Sequence, residues 1–366
     1  MVAKNRGISP DLLIHPGETI SDLLEERGMT QKELAQRAGV SEAFLSDVIH
    51  GKKDISKGLA MGLEYAFGVP GSFLLNLQAN YDAELLSLRE EETVKEEEKR
   101  VLVSIHEIVD FLKKRSIVAE EWTWEQTVIG LRKLFQVSSL TGLKTLAPAG
   151  AFRMFDKAAV NPDVLGAWLC LCKVQRSDRR IESGFESERV DALVSEIKKI
   201  MLTSRGNLQK SLADLFAQYG IDFSIVHNFR GAPVHGYIAC KEDGTYQMVL
   251  TLRGAFADIF WFSLFHELGH IVNGDVSKMG SFIDAQYSKD SRREKAADAF
   301  ASNVLLEQKS YEQFVKKGSF SYSSIREYAQ TQNVPPYVVI GRLQKEEIIP
   351  WTWHQKYKLK YKWAEK

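Results

Sequence analysis

The segment from Ala257 to Val272 constrains this chain more than any other: an apolar stretch with a helical pattern, interrupted by His266-Glu267-Leu268-Gly269-His270. Trp261, Phe262, Leu264, Phe265, Leu268 and Ile271 surround the three polar residues with apolar ones. A helix this apolar is buried, and buried imidazoles and carboxylates need partners. Positions i and i+4 advance about 400° around a helix, so both imidazoles leave the same face one turn apart. Two nitrogens so placed can close on a single Zn²⁺ at about 2.0–2.1 Å. Glu267 follows the first of them and is placed to hold a water as general base, the metal lowering that water's pKa from near 16 to about 7. The alternative is a pair of core histidines satisfied by hydrogen bonds.

A catalytic zinc needs a third protein ligand and an open position. Glu294 lies 24 residues after His270, in the helix-forming stretch Glu294-Lys295-Ala296-Ala297-Asp298-Ala299-Phe300-Ala301. From a second helix Glu294 can reach the metal. Asp298, one turn on, can orient a ligating imidazole through its other ring nitrogen. Small residues between them allow the two helices to approach closely. The plainer reading of both acids is a solvent-exposed helix face.

These residues carry a resemblance. FWFSLFHELGHIVNG followed by EKAADAFA resembles the ImmA/IrrE family of zinc metallopeptidases. The resemblance implies His266, His270 and Glu294 as ligands and Glu267 as catalytic base. Upstream, GAPVHGYIACKEDGTYQMVLTLR is similar to the strand pair that precedes the zinc helix in that family, and SIREYAQTQNVPPYVVIGRLQKEEIIPW to its C-terminal extension, so the likeness spans most of residues 120–355. In related metallopeptidases the edge strand pairs with an extended substrate. His235 or Tyr237 is then a candidate transition-state donor.

Nearer the N-terminus, Thr30-Gln31-Lys32-Glu33-Leu34-Ala35-Gln36-Arg37-Ala38-Gly39-Val40-Ser41 reads as helix, glycine turn and new N-cap. Thr30 and Ser41 are N-cap types, Thr30 to Glu33 fits a capping box, and Val40, Leu45, Val48 and Ile49 form an apolar stripe. The second helix, about Glu42–His50, is the reader expected in a major groove. Its outward positions are Glu42, Ala43, Ser46 and Asp47, with Lys52 and Lys53 beyond it for phosphates, Gln31 at a helix start for another, and Ser41 at the start of the reader helix also expected at the DNA. The stretch HPGETISDLLEERGMTQKELAQRAGVSEAFLSDVIHGKKDIS resembles the Xre/Cro family and HigA-type antitoxins. That implies binding to a palindromic operator as a homodimer. Residues 1–80 carry 8 Lys/Arg against 10 Asp/Glu, a balance of −2 that works against phosphate binding.

Composition narrows the remaining classes. Lys plus Arg and Asp plus Glu number 48 each, so no global field draws the chain to nucleic acid or membrane. No run approaches the roughly 18–20 apolar residues of a membrane helix, and Met1–Pro10 lacks a secretory apolar core. With three cysteines, Cys170, Cys172 and Cys240, a disulfide framework is not expected. Cys170 and Cys172 read as buried small hydrophobes, and the expected location is the cytoplasm.

The expected architecture is mainly α with a small β-sheet (α+β): an all-α helix-turn-helix domain (1–80), a charged helical linker (81–120) and a helical middle region (121–220). Beyond these come a zincin-like peptidase domain (221–350) and an aromatic and basic tail (351–366). Arg89–Arg100 is nearly devoid of apolar residues and reads as a solvated helix face or linker. The tail's Trp351, Trp353, Tyr357, Tyr361 and Trp363 form either a nucleic-acid stacking surface or a strap that packs on the domain while its lysines snorkel. Two functions fit: a regulator fused to a zinc endopeptidase that cleaves a protein partner, or a non-catalytic antitoxin whose peptidase-like domain binds a cognate toxin or senses a ligand.

Overall fold

The computed structural model describes residues 13–146, 160–174, 181, 183–203, 206–276, 281–282 and 292–363. Met1–Pro10 and the last three residues of the tail lie outside them. The chain divides into two units, Met1–Glu96 with Glu121–Ile129, and Glu97–Glu120 with Gly130–Lys366.

In the first unit five helices succeed one another: α1 (Pro16–Glu26), α2 (Gln31–Ala38), α3 (Glu42–Ile49), α4 (Lys57–Phe67) and α5 (Gly71–Leu88). Their ends are chemically marked. Thr30, Ser41 and Ser56 each accept the amide of the residue three further on, at 3.2 Å. Gly39 closes α2 in the left-handed region at φ 67. The capping box is half formed: the Glu33 carboxylate pairs with Arg37 at 2.6 Å, one turn along. Ile20, Leu34, Leu45, Leu59, Leu63 and Leu74 make the core, while Val40 and Ile49 of the expected stripe are only half-buried. Helix α5 carries the chain past residue 80 without a break.

Gly62 sits where α4 crosses α2. A Cβ there would overlap the Ala38 carbonyl oxygen and lie 3.0 Å from its Cα, whereas one at Gly58 would meet nothing within 4 Å. Gly62→Ala is therefore expected to destabilise this unit by about 1–3 kcal/mol. Gly58→Ala should be neutral or gain up to about 1 kcal/mol. Denaturant unfolding of both variants checks this, and equal effects would show that the crossing tolerates a methyl group.

The second unit is built on a four-stranded sheet of order β1-β3-β2-β4: β1 (Ile221–Ile225), β2 (Gly236–Cys240), β3 (Tyr246–Leu250) and β4 (Ser281–Phe282). β1 runs parallel to β3, and β2 is antiparallel to both β3 and β4. The turn between β2 and β3 is tight, Asp243 accepting from the Thr245 amide at 2.9 Å and Gly244 taking φ 81. The helix Ala257–Val272, here the site helix, buries Trp261, Leu264, Phe265 and Leu268 in a core shared with Phe223, Met248, Ala301 and Ile340. Against it lies the helix Arg292–Leu305, close enough that a Cβ on Gly269 would stand 3.1 Å from the Ala297 Cα. Further on lie the helices Tyr322–Thr331 and Pro336–Lys345, parted just before the proline pair.

Two expectations need correction. The acidic stretch is not wholly solvated, because Glu98 is 2% exposed and holds Arg132 and the Leu140 amide. The tail does form a strap, Tyr357, Tyr361 and Trp363 packing on the core and Trp261 Nε1 donating to the Tyr361 hydroxyl at 2.9 Å. Its lysines do not all snorkel, however: Lys358 is buried against Asp258 at 2.8 Å, since a carboxylate inside the domain offers it a partner that water would otherwise supply. Cys170, Cys172 and Cys240 are buried free thiols.

Candidate metal centre and cavity

The i, i+4 spacing on the site helix brings His266 Nε2 within 3.0 Å of His270 Nε2. Glu294, in the first turn of the neighbouring helix, reaches both: Oε2 lies 3.3 Å from His266 Nε2 and Oε1 lies 3.4 Å from His270 Nε2. All three ligand atoms fall within 4.8 Å of one another. The far side of each ring is held by an acid. Asp298 Oδ1 stands 2.8 Å from His266 Nδ1, and Asp275 Oδ2 stands 2.9 Å from His270 Nδ1. With Nδ1–H donated to a carboxylate, a neutral ring turns its Nε2 lone pair inward. Two such lone pairs and a carboxylate facing one point repel unless a cation lies among them, and this borderline donor set suits Zn²⁺.

Charge in the cluster obeys the same logic. Burial alone would lower the His266 pKa, but Asp298 and Glu294 outweigh it and carry it up to about 10. Burial would raise Glu294, yet hydrogen bonds from the two imidazoles bring it down to about 2. Relative to ordinary values of 6.5 and 4.5, the metal-free cluster stabilises the fold most between about pH 4.5 and 6.5. The Glu294 contribution is lost as pH falls through about 2, and the His266 contribution as pH rises through about 10. Zinc must displace a proton from His266 and, since carboxylates also raise His270, from His270 where it carries one, so apparent zinc affinity should rise by at least about tenfold per pH unit below pH 10. Competition with a chelator at pH 6, 7 and 8 measures this, and a flat profile would mean that no imidazole proton is released.

Glu267 points to the other side of the site, and burial is the main cause of a carboxyl pKa above the usual range. It is accommodated by Gly236 at the start of β2, where a Cβ would overlap its carboxylate and stand 2.6 Å from its Cγ. Gly236 and Asp275 were not among the residues singled out from sequence. A glycine opening a strand and an acid just beyond the helix end are the signals that mark them. His235, next to Gly236, has its pKa lowered to about 4 by the surrounding protein mass, Arg253 and His266.

His235, Gly236, Tyr237, His266, Glu267 and Glu294 line one end of a cavity of about 710 Å³. From there it runs along the site helix past Phe262 and Ile259 to Asp258, walled by Val338, Arg342, Lys345 and Trp351.

In the first unit, α2 and α3 stand as the two helices of the turn motif. Glu42, Ala43 and Lys52 are exposed and Gln31 is half-exposed in the first turn of α2. The Ser41 hydroxyl is engaged in capping and Ser46 Oγ lies 3.3 Å from His50 Nδ1. Lys53 pairs with Asp47 at 3.0 Å, a hydrogen bond that holds the aspartate below the usual carboxylate range.

Comparison with known proteins assigns both regions. Residues 20–74 match the family described as helix-turn-helix, and residues 233–325 match the family described as peptidase U49. The chain carries a helix-turn-helix domain and a peptidase U49 domain. The peptidase match contains β2, the site helix, Glu294 and Asp298, while Val338, Lys345 and Trp351 of the cavity wall lie beyond it. Over 69 residues the chain is 41% identical to virulence-associated protein A' of Dichelobacter nodosus, covering 19% of this chain and 60% of that relative. Two solved structures are similar to part of the chain. An addiction module antidote protein of the HigA family from Coxiella burnetii is 28% identical, with 22% of this chain and 95% of that one covered and a TM-score of 0.20. The Pseudomonas aeruginosa antitoxin HigA, solved with the higBA promoter, is 26% identical, with 22% and 95% covered and a TM-score of 0.21. Among the described residues no helix is long and apolar enough to cross a membrane.

Proposed function

We propose that this protein is a cytoplasmic DNA-binding regulator of antitoxin type, fused to a zinc-dependent endopeptidase of ImmA/IrrE character that cleaves a protein partner. One observation carries the reading. Two Nε2 atoms and the Glu294 carboxylate converge within 3.0–3.4 Å, with Glu267 beside them at the end of an elongated cavity. When bound, zinc supplies Lewis acidity for a scissile carbonyl and lowers the pKa of water. Glu267 accepts a proton from the attacking water as the new C–O bond forms. It then hands that proton to the amide nitrogen as the C–N bond breaks, a task suited to a carboxyl whose pKa burial has raised. His235, neutral above about pH 4, is a donor for the developing oxyanion. β2 is not an edge strand, since it pairs with β3 along its length and with β4 at Ile238 and Ala239, so an extended substrate would add only beside its Gly236 end.

The helix-turn-helix serves operator recognition, Glu42, Ala43 and Ser46 facing the bases and Gln31, Lys52 and Lys53 the phosphates, in a homodimer on a palindrome. The acids Glu42 and Asp47 on α3 favour a second reading, a non-catalytic antitoxin that holds a cognate toxin.

Elemental analysis of protein purified without added metal tests the central claim. About one zinc per chain is expected in the wild type, lost in His270→Ala and in Glu294→Ala. A folded wild type without zinc would shift the weight to the non-catalytic reading.

A further inference from the structure

One wall of the cavity is supplied in part by the C-terminal strap, where Trp351 stands with Ile259, Phe262 and Val338. Phe262 and Ile259 lie four and seven residues before His266, about 6 and 10 Å along the site helix. Trp351 stays 56% exposed, although Tyr357, Tyr361 and Trp363 of the same strap pack on the core. An indole left in water forgoes the stabilisation that its burial would give. The turn that presents it is nevertheless fixed by buried polar groups. Gln344, 0% exposed, donates through Nε2 to the Trp351 carbonyl at 3.1 Å and to the Trp353 carbonyl at 2.8 Å. Its Oε1 accepts from Lys358 Nζ at 3.1 Å, and Lys358 in turn holds Asp258 of the site helix at 2.8 Å. The strap is also tied to the start of that helix. The Ala257 amide donates to the Leu359 carbonyl at 2.9 Å, and the Tyr361 amide to the Ala255 carbonyl at 2.7 Å. Burying an amide and an ion pair carries a desolvation cost. What these groups hold in place is a rigid turn, set in register with the site helix, that puts an exposed indole on the cavity wall.

We propose that Trp351 is a specificity-determining residue: its indole, with Phe262, takes a bulky apolar side chain of the substrate, phenylalanine before leucine, close to the bond that is cut. A large aromatic side chain offers much contact area for few rotatable bonds, and one whose backbone is already fixed has little freedom left to lose on binding. Ile259 and Val338 extend the apolar surface on which such a side chain lies. A phenyl ring adds ring-to-ring contact with Trp351 and Phe262 to the area that it buries, which leucine cannot. Extended chain advances about 3.3–3.6 Å per residue, so a side chain on this wall belongs to a residue within about three of the one at the metal ligands.

This inference rests on the peptidase reading for its biological use, but its central test does not require cleavage. The full chain is labelled with fluorotryptophan, loaded with zinc and given the Glu267→Gln substitution so that peptide stays intact. The Trp351 and Trp353 resonances are assigned by their absence from Trp351→Phe and Trp353→Phe. Blocked heptapeptides of alanine and serine, with phenylalanine, leucine, glutamine, lysine or glutamate at the centre, are titrated by fluorine NMR. The phenylalanine peptide should bind about tenfold tighter than the glutamine peptide, with leucine between, and should shift the Trp351 resonance but not that of Trp353. Tightest binding by the lysine or glutamate peptide overturns the proposal. So does a phenylalanine peptide that fails to bind, or that binds without moving the Trp351 resonance. In Trp351→Ala, where only a half-exposed side chain is cut back, the preference for phenylalanine over glutamine should fall to about one. Trp353→Ala should keep it, since Trp353 is similarly exposed at 51% but does not line the cavity. A preference retained in the folded Trp351→Ala protein overturns the assignment. Cleavage of a degenerate peptide library by the wild type is read in parallel. Apolar selectivity in binding with no peptide cut supports the role of Trp351 and removes the peptidase reading. Cleavage without enrichment of bulky apolar residues within about three residues of the cut bond retains the peptidase and overturns the proposal.

Discussion

Glu267→Gln is expected to lower kcat on any true substrate by about a hundred- to ten-thousandfold, with KM and zinc content near wild type. The substitution keeps the side chain's shape and its place against Gly236 but removes the oxygen that accepts a proton from water. None of the three metal-facing atoms belongs to Glu267, so the ligand set is untouched. Gly236→Ala approaches the same site from the strand. Its Cβ would overlap the Glu267 carboxylate and displace it, and a misplacement of about 1 Å can cost about a hundredfold. Single-turnover cleavage with zinc quantified in the same samples reads both effects. Undiminished cleavage by Glu267→Gln would remove Glu267 from the chemistry. A Gly236→Ala protein as active as wild type would show that the glutamate has room to move.

Arg132→Met is expected to cost the second unit about 3–5 kcal/mol. Glu98, 2% exposed, accepts from Arg132 Nε at 3.0 Å, from Arg132 Nη2 and from the Leu140 amide at 2.8 Å. Burial would raise its pKa, but the guanidinium and that amide outweigh it and leave the carboxyl below its usual value. Its contribution is therefore present above about pH 4.5 and is lost as the pH falls further. Without Arg132 a carboxylate is left buried and unpaired by any cation. The double variant Glu98→Met/Arg132→Met removes both charges, and equilibrium unfolding should find it much closer to wild type. If both variants are equally unstable, packing of the arginine stem rather than its charge holds this region together.

The sequence by itself determined the features that depend on spacing along one element. The i, i+4 histidines, the Ala257–Val272 helix, and the Thr30 and Ser41 caps are local patterns with a helical period or fixed offsets of a few residues, so composition and order suffice to read them. The placement of Glu294 within 3.4 Å of both imidazoles depends on how two helices cross; the family resemblance pointed to Glu294 and the small residues around Ala297 allowed the approach, but no spacing along one element required it. Tertiary structure alone decided the rest. Glu98 looked solvated because its neighbours in sequence are charged, yet the fold delivers Arg132 from 34 residues away. Lys358 looked like one more surface lysine until the strap set it against Asp258. Gly236 and Gly341 carry no chemistry of their own, and their value is the space they leave for Glu267 and Asp258. Contacts between segments far apart in the chain leave no periodic trace in it, because each depends on where the other segment is placed by packing.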